Sequence, residues 1–112
     1  MKKQLGTNKP ITETEIWLYA LQIILGIDYL HKENIIHRDV KCLNVLIQDR
    51  NFLKISDLGV SKFYKKDEDK QKMMKESKKG RVGTPLYLSP EIIQSQVYDY
   101  KIDVWAIGCS LY

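Results

Sequence analysis

Cysteine is scarce in this sequence of 112 residues: there are two, Cys42 and Cys109, set far apart. That spacing excludes a disulfide-dense scaffold and the CxxC pairs of a zinc site, and reduced thiols are expected. Proline (3) and glycine (6) are also few, so neither a collagen-like nor a low-complexity chain fits. Long apolar runs are missing. Charge interrupts them well before the roughly 18 residues that a membrane helix needs, and the basic opening MKKQLGTNKP lacks the apolar stretch of a signal peptide. There is no internal repeat. One small intracellular domain without a membrane partner is expected.

What is present is an ordinary globular share of hydrophobic residues, 44%, and a net charge of +4 that is very unevenly placed. The segment KKDEDKQKMMKESKKGR, residues 65–81, holds eight Lys or Arg against four Asp or Glu and so carries the whole surplus. It has neither interleaved aromatics nor a helical stripe, which argues for a solvated loop and against nucleic acid.

Upstream, Thr12 and Glu15 form a Thr-x-x-Glu capping box, and Ile16, Tyr19, Ala20, Ile23, Ile27 and Leu30 follow at steps of three and four. A core-facing helix over roughly 12–32 is expected. Two short apolar runs, NVLI at 44–47 and FLKI at 52–55, flank the polar turn Gln48-Asp49-Arg50-Asn51 and predict a hairpin. The apolar period resumes only at Pro90-Glu91-Ile92-Ile93, and Val104, Ile107 and Leu111 place a last helix from about 101. Its apolar face has nothing left in the sequence to cover it.

The stretch IIHRDVKCLNVLI, 35–47, sets His37, Arg38, Asp39, Lys41 and Asn44 among apolar neighbours. Unpaired charge in such surroundings is costly, so a compensating network or a use is required. The hairpin supplies a juxtaposition, because the segment before its first strand and the segment after its second leave from the same end. Asn44 and Asp57 are thereby brought together as two hard oxygen ligands for magnesium, which takes few protein ligands, with Asp39 and Lys41 flanking them.

HRDVKCLN, 37–44, resembles the catalytic loop of eukaryotic protein kinases; Asp57-Leu58-Gly59 resembles their magnesium-binding DFG with leucine for phenylalanine, and Ser89-Pro90-Glu91 their APE. Gly83-Thr84-Pro85 and Asp103-Val104-Trp105 stand in the matching order. Lys41 and Thr84 resemble the serine/threonine branch, and DLGVSK and VGTPLYLSPE the NIMA-related group within it.

The resemblance implies an α+β fold: the mainly helical C-terminal lobe of a protein kinase over residues 1–112, with a short β-hairpin after the catalytic loop and an activation segment at 57–91. It implies transfer of the γ-phosphate of ATP to Ser or Thr hydroxyls of protein substrates, with Mg2+. Asp39 would orient the substrate hydroxyl, Lys41 would offset phosphoryl charge, and Asn44 and Asp57 would hold the metal. Arg38 resembles the arginine that grips a phosphorylated activation loop, Thr84 a shaper of the substrate pocket, and Asp103 a brace of the catalytic loop. Ser77 is the only hydroxyl between Tyr64 and Thr84, hence the candidate phosphosite, although Gly80 stands where relatives often carry Ser or Thr.

The family's GxGxxG loop and VAIK-type lysine, which belong to the smaller N-terminal lobe, have no counterpart here, nor does the arginine that would pair with Glu91. The chain alone is therefore expected to bind ATP poorly and to transfer little phosphate. The alternative is a non-catalytic, kinase-derived binding or decoy module. Keeping all of Asp39, Lys41, Asn44 and Asp57 favours the enzyme.

Overall fold

The computed structural model describes residues 10–48, 52–63 and 83–112. Helix α1 runs Glu13–Lys32, and its capping box is formed in full: Glu15 N–H donates to Thr12 Oγ1 at 3.2 Å and Thr12 N–H to Glu15 Oε2 at 3.0 Å. Two otherwise unpaired donors are thus satisfied at the helix start. At the other end Glu33 N–H reaches back to the Tyr29 carbonyl, and Asn34 turns the chain with a left-handed φ of 58°, a conformation asparagine tolerates better than most residues. The chain then enters β1, Ile35–Ile36.

Strands β2, Val45–Gln48, and β3, Phe52–Ile55, form the expected antiparallel hairpin with Val45 opposite Ile55 and Gln48 opposite Phe52. Gln48 is the last strand residue rather than part of the turn, and Asp49, Arg50 and Asn51 lie outside the described residues. Asn44, expected in the first strand, instead ends a 3₁₀ turn, Cys42–Asn44. A second ladder was not legible in the sequence: β1 pairs antiparallel with β4, Lys62–Phe63. Two-residue strands show no alternation for a period to reveal. After the 3₁₀ turn Pro85–Tyr87 come a short helix α2, Pro90–Ile93, and the final helix α3, Lys101–Leu111.

The core is built where α1, the hairpin and α3 meet. Ile23, Ile27, Val40, Ala106 and Ile107 are buried together, with Leu53 and Ile55 of β3 packed against them. Gln22 Oε1 accepts the Leu53 N–H at 2.8 Å, stitching α1 to the hairpin. Close approach explains Gly26, since a Cβ there would lie 2.8 Å from Ile55 Cδ1. A second cluster, Ile36, Ile92, Tyr98 and Ile102, seats α2 against α3.

Two expectations about buried faces need correcting. In α1, Tyr19, Ala20, Ile23 and Ile27 are buried, but Ile16 is 38% exposed. In α3 the buried face is Ile102, Asp103, Ala106, Ile107 and Ser110, while Val104 is 54% exposed. The helix is rotated from its apolar stripe because the Asp103 carboxylate must face inward to meet its donors. Among the described residues no helix is long and apolar enough to cross a membrane.

Ile27 is 2% exposed at the centre of the larger cluster. Ile27→Ala is expected to lower unfolding free energy by about 2–5 kcal/mol, the range for deleting a buried aliphatic side chain, as read from urea denaturation followed by circular dichroism.

Candidate active site

The site begins with a buried carboxylate on α3. Asp103, 1% exposed, accepts the backbone N–H of His37 at 2.9 Å and of Arg38 at 3.0 Å, and lies 2.8 Å from His31 Nε2 at the end of α1. These contacts pin the chain as it leaves β1 and hold Arg38 at φ 69°, in the left-handed region. Hydrogen bonds to a charged acceptor are roughly twice as strong as neutral ones, which suits them to holding such a turn.

His37 is fully buried and is satisfied at both ring nitrogens. Nδ1 lies 3.1 Å from the Asp39 amide and accepts from it, so the ring proton is on Nε2, which donates to the Ser56 carbonyl at 2.9 Å. Ser56 is held from its other side too, its N–H and hydroxyl donating to the Asn44 carbonyl at 2.8 and 3.2 Å. One residue further on, Asp57 stands at φ 61° with Oδ1 accepting the Gly59 N–H at 3.1 Å. The end of β3 is therefore clamped to both halves of the loop before β2.

Around Asp39 the polar groups close into a network. Thr84 Oγ1 donates to Asp39 Oδ1 at 2.9 Å and accepts from Lys41 Nζ at 2.8 Å, while Lys41 Nζ also stands 3.7 Å from Asp39 Oδ2. Asn44 Nδ2 donates to the Asp39 carbonyl at 2.7 Å and to Asp39 Oδ2 at 3.2 Å. Asp39 and Lys41 are only 16% and 20% exposed, so their attraction is less screened than that of a surface pair.

The residues singled out in the sequence thus divide. Asp39, Lys41, Asn44 and Thr84 share one hydrogen-bond network, Asp57 follows a residue that Asn44 holds, and Asp103 anchors the loop from behind. Arg38 points elsewhere, with Nε donating to the Val60 carbonyl at 2.5 Å and Nη1 to the Tyr98 hydroxyl at 3.1 Å. Ser77 lies outside the described residues. His31, Ser56 and Tyr98 also support the site and were not picked out in advance. His31 meets Asp103 across 72 positions, which no local pattern signals.

The donor chemistry fits magnesium. Asn44 spends its amide nitrogen on Asp39 and keeps Oδ1 as a hard oxygen acceptor, and Asp57 is an exposed carboxylate. Among the described residues no group of three His, Cys, Asp or Glu gathers for a metal. Few protein ligands are what magnesium takes when water and phosphate complete its shell.

Beside the network, burial pushes the Tyr87 phenol above its ordinary range, aided by the neighbouring Cys42 thiol. A raised folded-state value means that this contribution to stability is complete below the ordinary phenol range and is lost as pH climbs through the raised one. Cys42 itself donates to the Ser110 carbonyl at 3.6 Å.

A family model described as protein kinase domain matches residues 1–112, the whole chain. The serine/threonine-protein kinase Nek4 of Mus musculus is 36% identical over 112 residues, 100% of this chain and 13% of that protein. The serine/threonine-protein kinase pakF of Dictyostelium discoideum is 40% identical over 106 residues, 95% of this chain and 8% of its own length. The chain thus spans a small part of the curated relatives it matches. Among solved structures, the crystal structure of the yeast RNA Pol II CTD kinase CTDK-1 complex matches with a TM-score of 0.78 and 33% identity, over 92% of this chain and 32% of that one.

Asp103→Ala would leave three groups facing a void where a buried charge now stands. It is expected to cost about 3–5 kcal/mol. Urea denaturation gives the size, and native-state hydrogen exchange should show the His37 and Arg38 amides losing protection first.

Proposed function

The chain belongs to the protein kinase domain family, and from that premise we propose that it carries the catalytic loop of a serine/threonine protein kinase, which transfers the γ-phosphate of ATP to Ser or Thr hydroxyls of protein substrates. The observation that carries this reading is the closed Asp39–Thr84–Lys41 contact, in which one hydroxyl donates to the carboxylate and accepts from the ammonium. Thr84 bridges the two groups and fixes their separation, with Lys41 Nζ 3.7 Å from Asp39 Oδ2.

In this reading Asp39 Oδ2, which accepts from Asn44 and can accept one hydrogen bond more, receives and orients the incoming alcohol, and its proton passes to that carboxylate. Lys41 offsets charge on the phosphoryl group in transfer. Protein kinases catalyse chiefly by positioning and by electrostatic stabilisation, so fixed side chains matter more than strong acids or bases. Asn44 and Asp57 are the residues assigned to hold magnesium, whose contribution when bound is to offset phosphate charge. Arg38, tied to Val60 and Tyr98, braces the loop from its outer side. A reaction that consumes ATP supports an intracellular location, read here as cytoplasmic.

Two measurements test this. With radiolabelled ATP, Mg2+ and a Ser/Thr-containing protein acceptor, any transfer is expected to fall by about 10²–10⁴-fold in Asp39→Asn, the usual worth of a positioned acid–base group. Equal blanks in both, with tight binding to a protein partner, would favour a decoy module instead. Independently of activity, Mn2+ used in place of Mg2+ is expected to broaden the NMR signals of Asn44 and Asp57, and Asp57→Ala to abolish that broadening.

A further inference from the structure

Ser89 is 1% exposed, and its hydroxyl has no hydrogen-bond partner among the described residues. It occupies the N-cap position of α2, yet its side chain caps nothing; its carbonyl alone accepts from the Ile92 and Ile93 amides. A buried hydroxyl without a partner loses its bonds to water and regains none, so each one calls for an explanation.

The surroundings offer one. Ser89 borders a small, partly open cavity with about 10 Å³ of space for a water centre, whose wall includes Arg38, Gly83, Thr84 and Asp103. A single water molecule needs roughly 10–15 Å³ of space for its centre, together with two or more polar partners. Gly83 keeps the space open: at φ 112° it carries no side chain, and a Cβ built there would lie 2.9 Å from the Arg38 carbonyl oxygen. That carbonyl therefore stands at the glycine's side of the wall. Asp103 adds an acceptor, because Oδ2 receives both His31 and the His37 amide whereas Oδ1 receives one backbone amide among the described residues, that of Arg38. A carboxylate oxygen accepts two bonds, so Oδ1 has one to spare.

We propose that this cavity binds one ordered water, hydrogen-bonded to Ser89 Oγ and to the wall formed by Asp103 and the Arg38 carbonyl. The water joins the segment entering α2 to the turn that Asp103 holds. It makes Ser89 a positioning residue for the loop that carries Asp39. Alanine at this position withdraws one of the polar partners that hold the water against the wall of Asp103 and the Arg38 carbonyl.

Oxygen-17 relaxation dispersion of the bulk solvent counts long-lived internal waters and is blind to exchange of the serine hydroxyl proton. The full chain is expected to show a long-lived contribution that drops by one water in Ser89→Ala, and the thermal midpoint is expected to fall with it. A partnerless hydroxyl predicts the reverse sign, since deleting it removes an uncompensated group and raises the midpoint. A dispersion amplitude unchanged by Ser89→Ala, or a raised midpoint, overturns the proposal.

Discussion

The arrangement depends on one buried negative charge. Taking a carboxylate out of water costs several kcal/mol unless donors replace the lost hydration, and Asp103 meets two backbone amides and an imidazole within 3.0 Å. The donors come from the end of α1 and from the chain after β1, so a single side chain on α3 ties the 31–38 stretch to a helix 65 to 72 positions further along. It also decides which face of α3 is buried, against the apolar spacing of that helix.

From this anchor the order spreads by hydrogen bonds rather than by packing. Fixing the His37 amide fixes its ring, whose Nε2 holds the Ser56 carbonyl, while Asn44 holds the Ser56 amide. Asp57 follows directly. The side chain of the same Asn44 reaches Asp39, which Thr84 links to Lys41. Each linking residue in the series serves two neighbours, so the charged groups between apolar segments have a compensating network.

Much of this was legible in the sequence wherever the cause is local. The α1 boundary follows from a capping box four residues long and a stripe of period 3.6, and the hairpin from two apolar runs around a polar turn. The residues gathered at the site were legible through HRDVKCLN, DLG and GTP, because each motif fixes spacing within one loop. What escaped depends on contacts far apart in sequence. The β1–β4 ladder joins segments with no pattern of their own, and His31 reads as one more polar residue in the last turn of a helix. The direction of Arg38 is likewise set by Val60 and Tyr98, which no local rule associates with it.

The backbone at the site is strained where it would be cheapest to relieve. Arg38 and Asp57 both adopt left-handed φ values, 69° and 61°, a conformation that costs a side-chain-bearing residue roughly 1–3 kcal/mol. Glycine would remove that cost at either position. It would also remove the guanidinium that reaches Val60 and Tyr98, and the carboxylate that stands beside the Asn44 clamp. The strain survives because hydrogen bonds over-determine both turns: Asp103 grips the Arg38 amide, and Ser56 is held at its amide and its carbonyl immediately before Asp57. Stability concentrated in the buried anchors thus supports two unfavourable turns, and each turn presents a side chain that a relaxed backbone would point elsewhere.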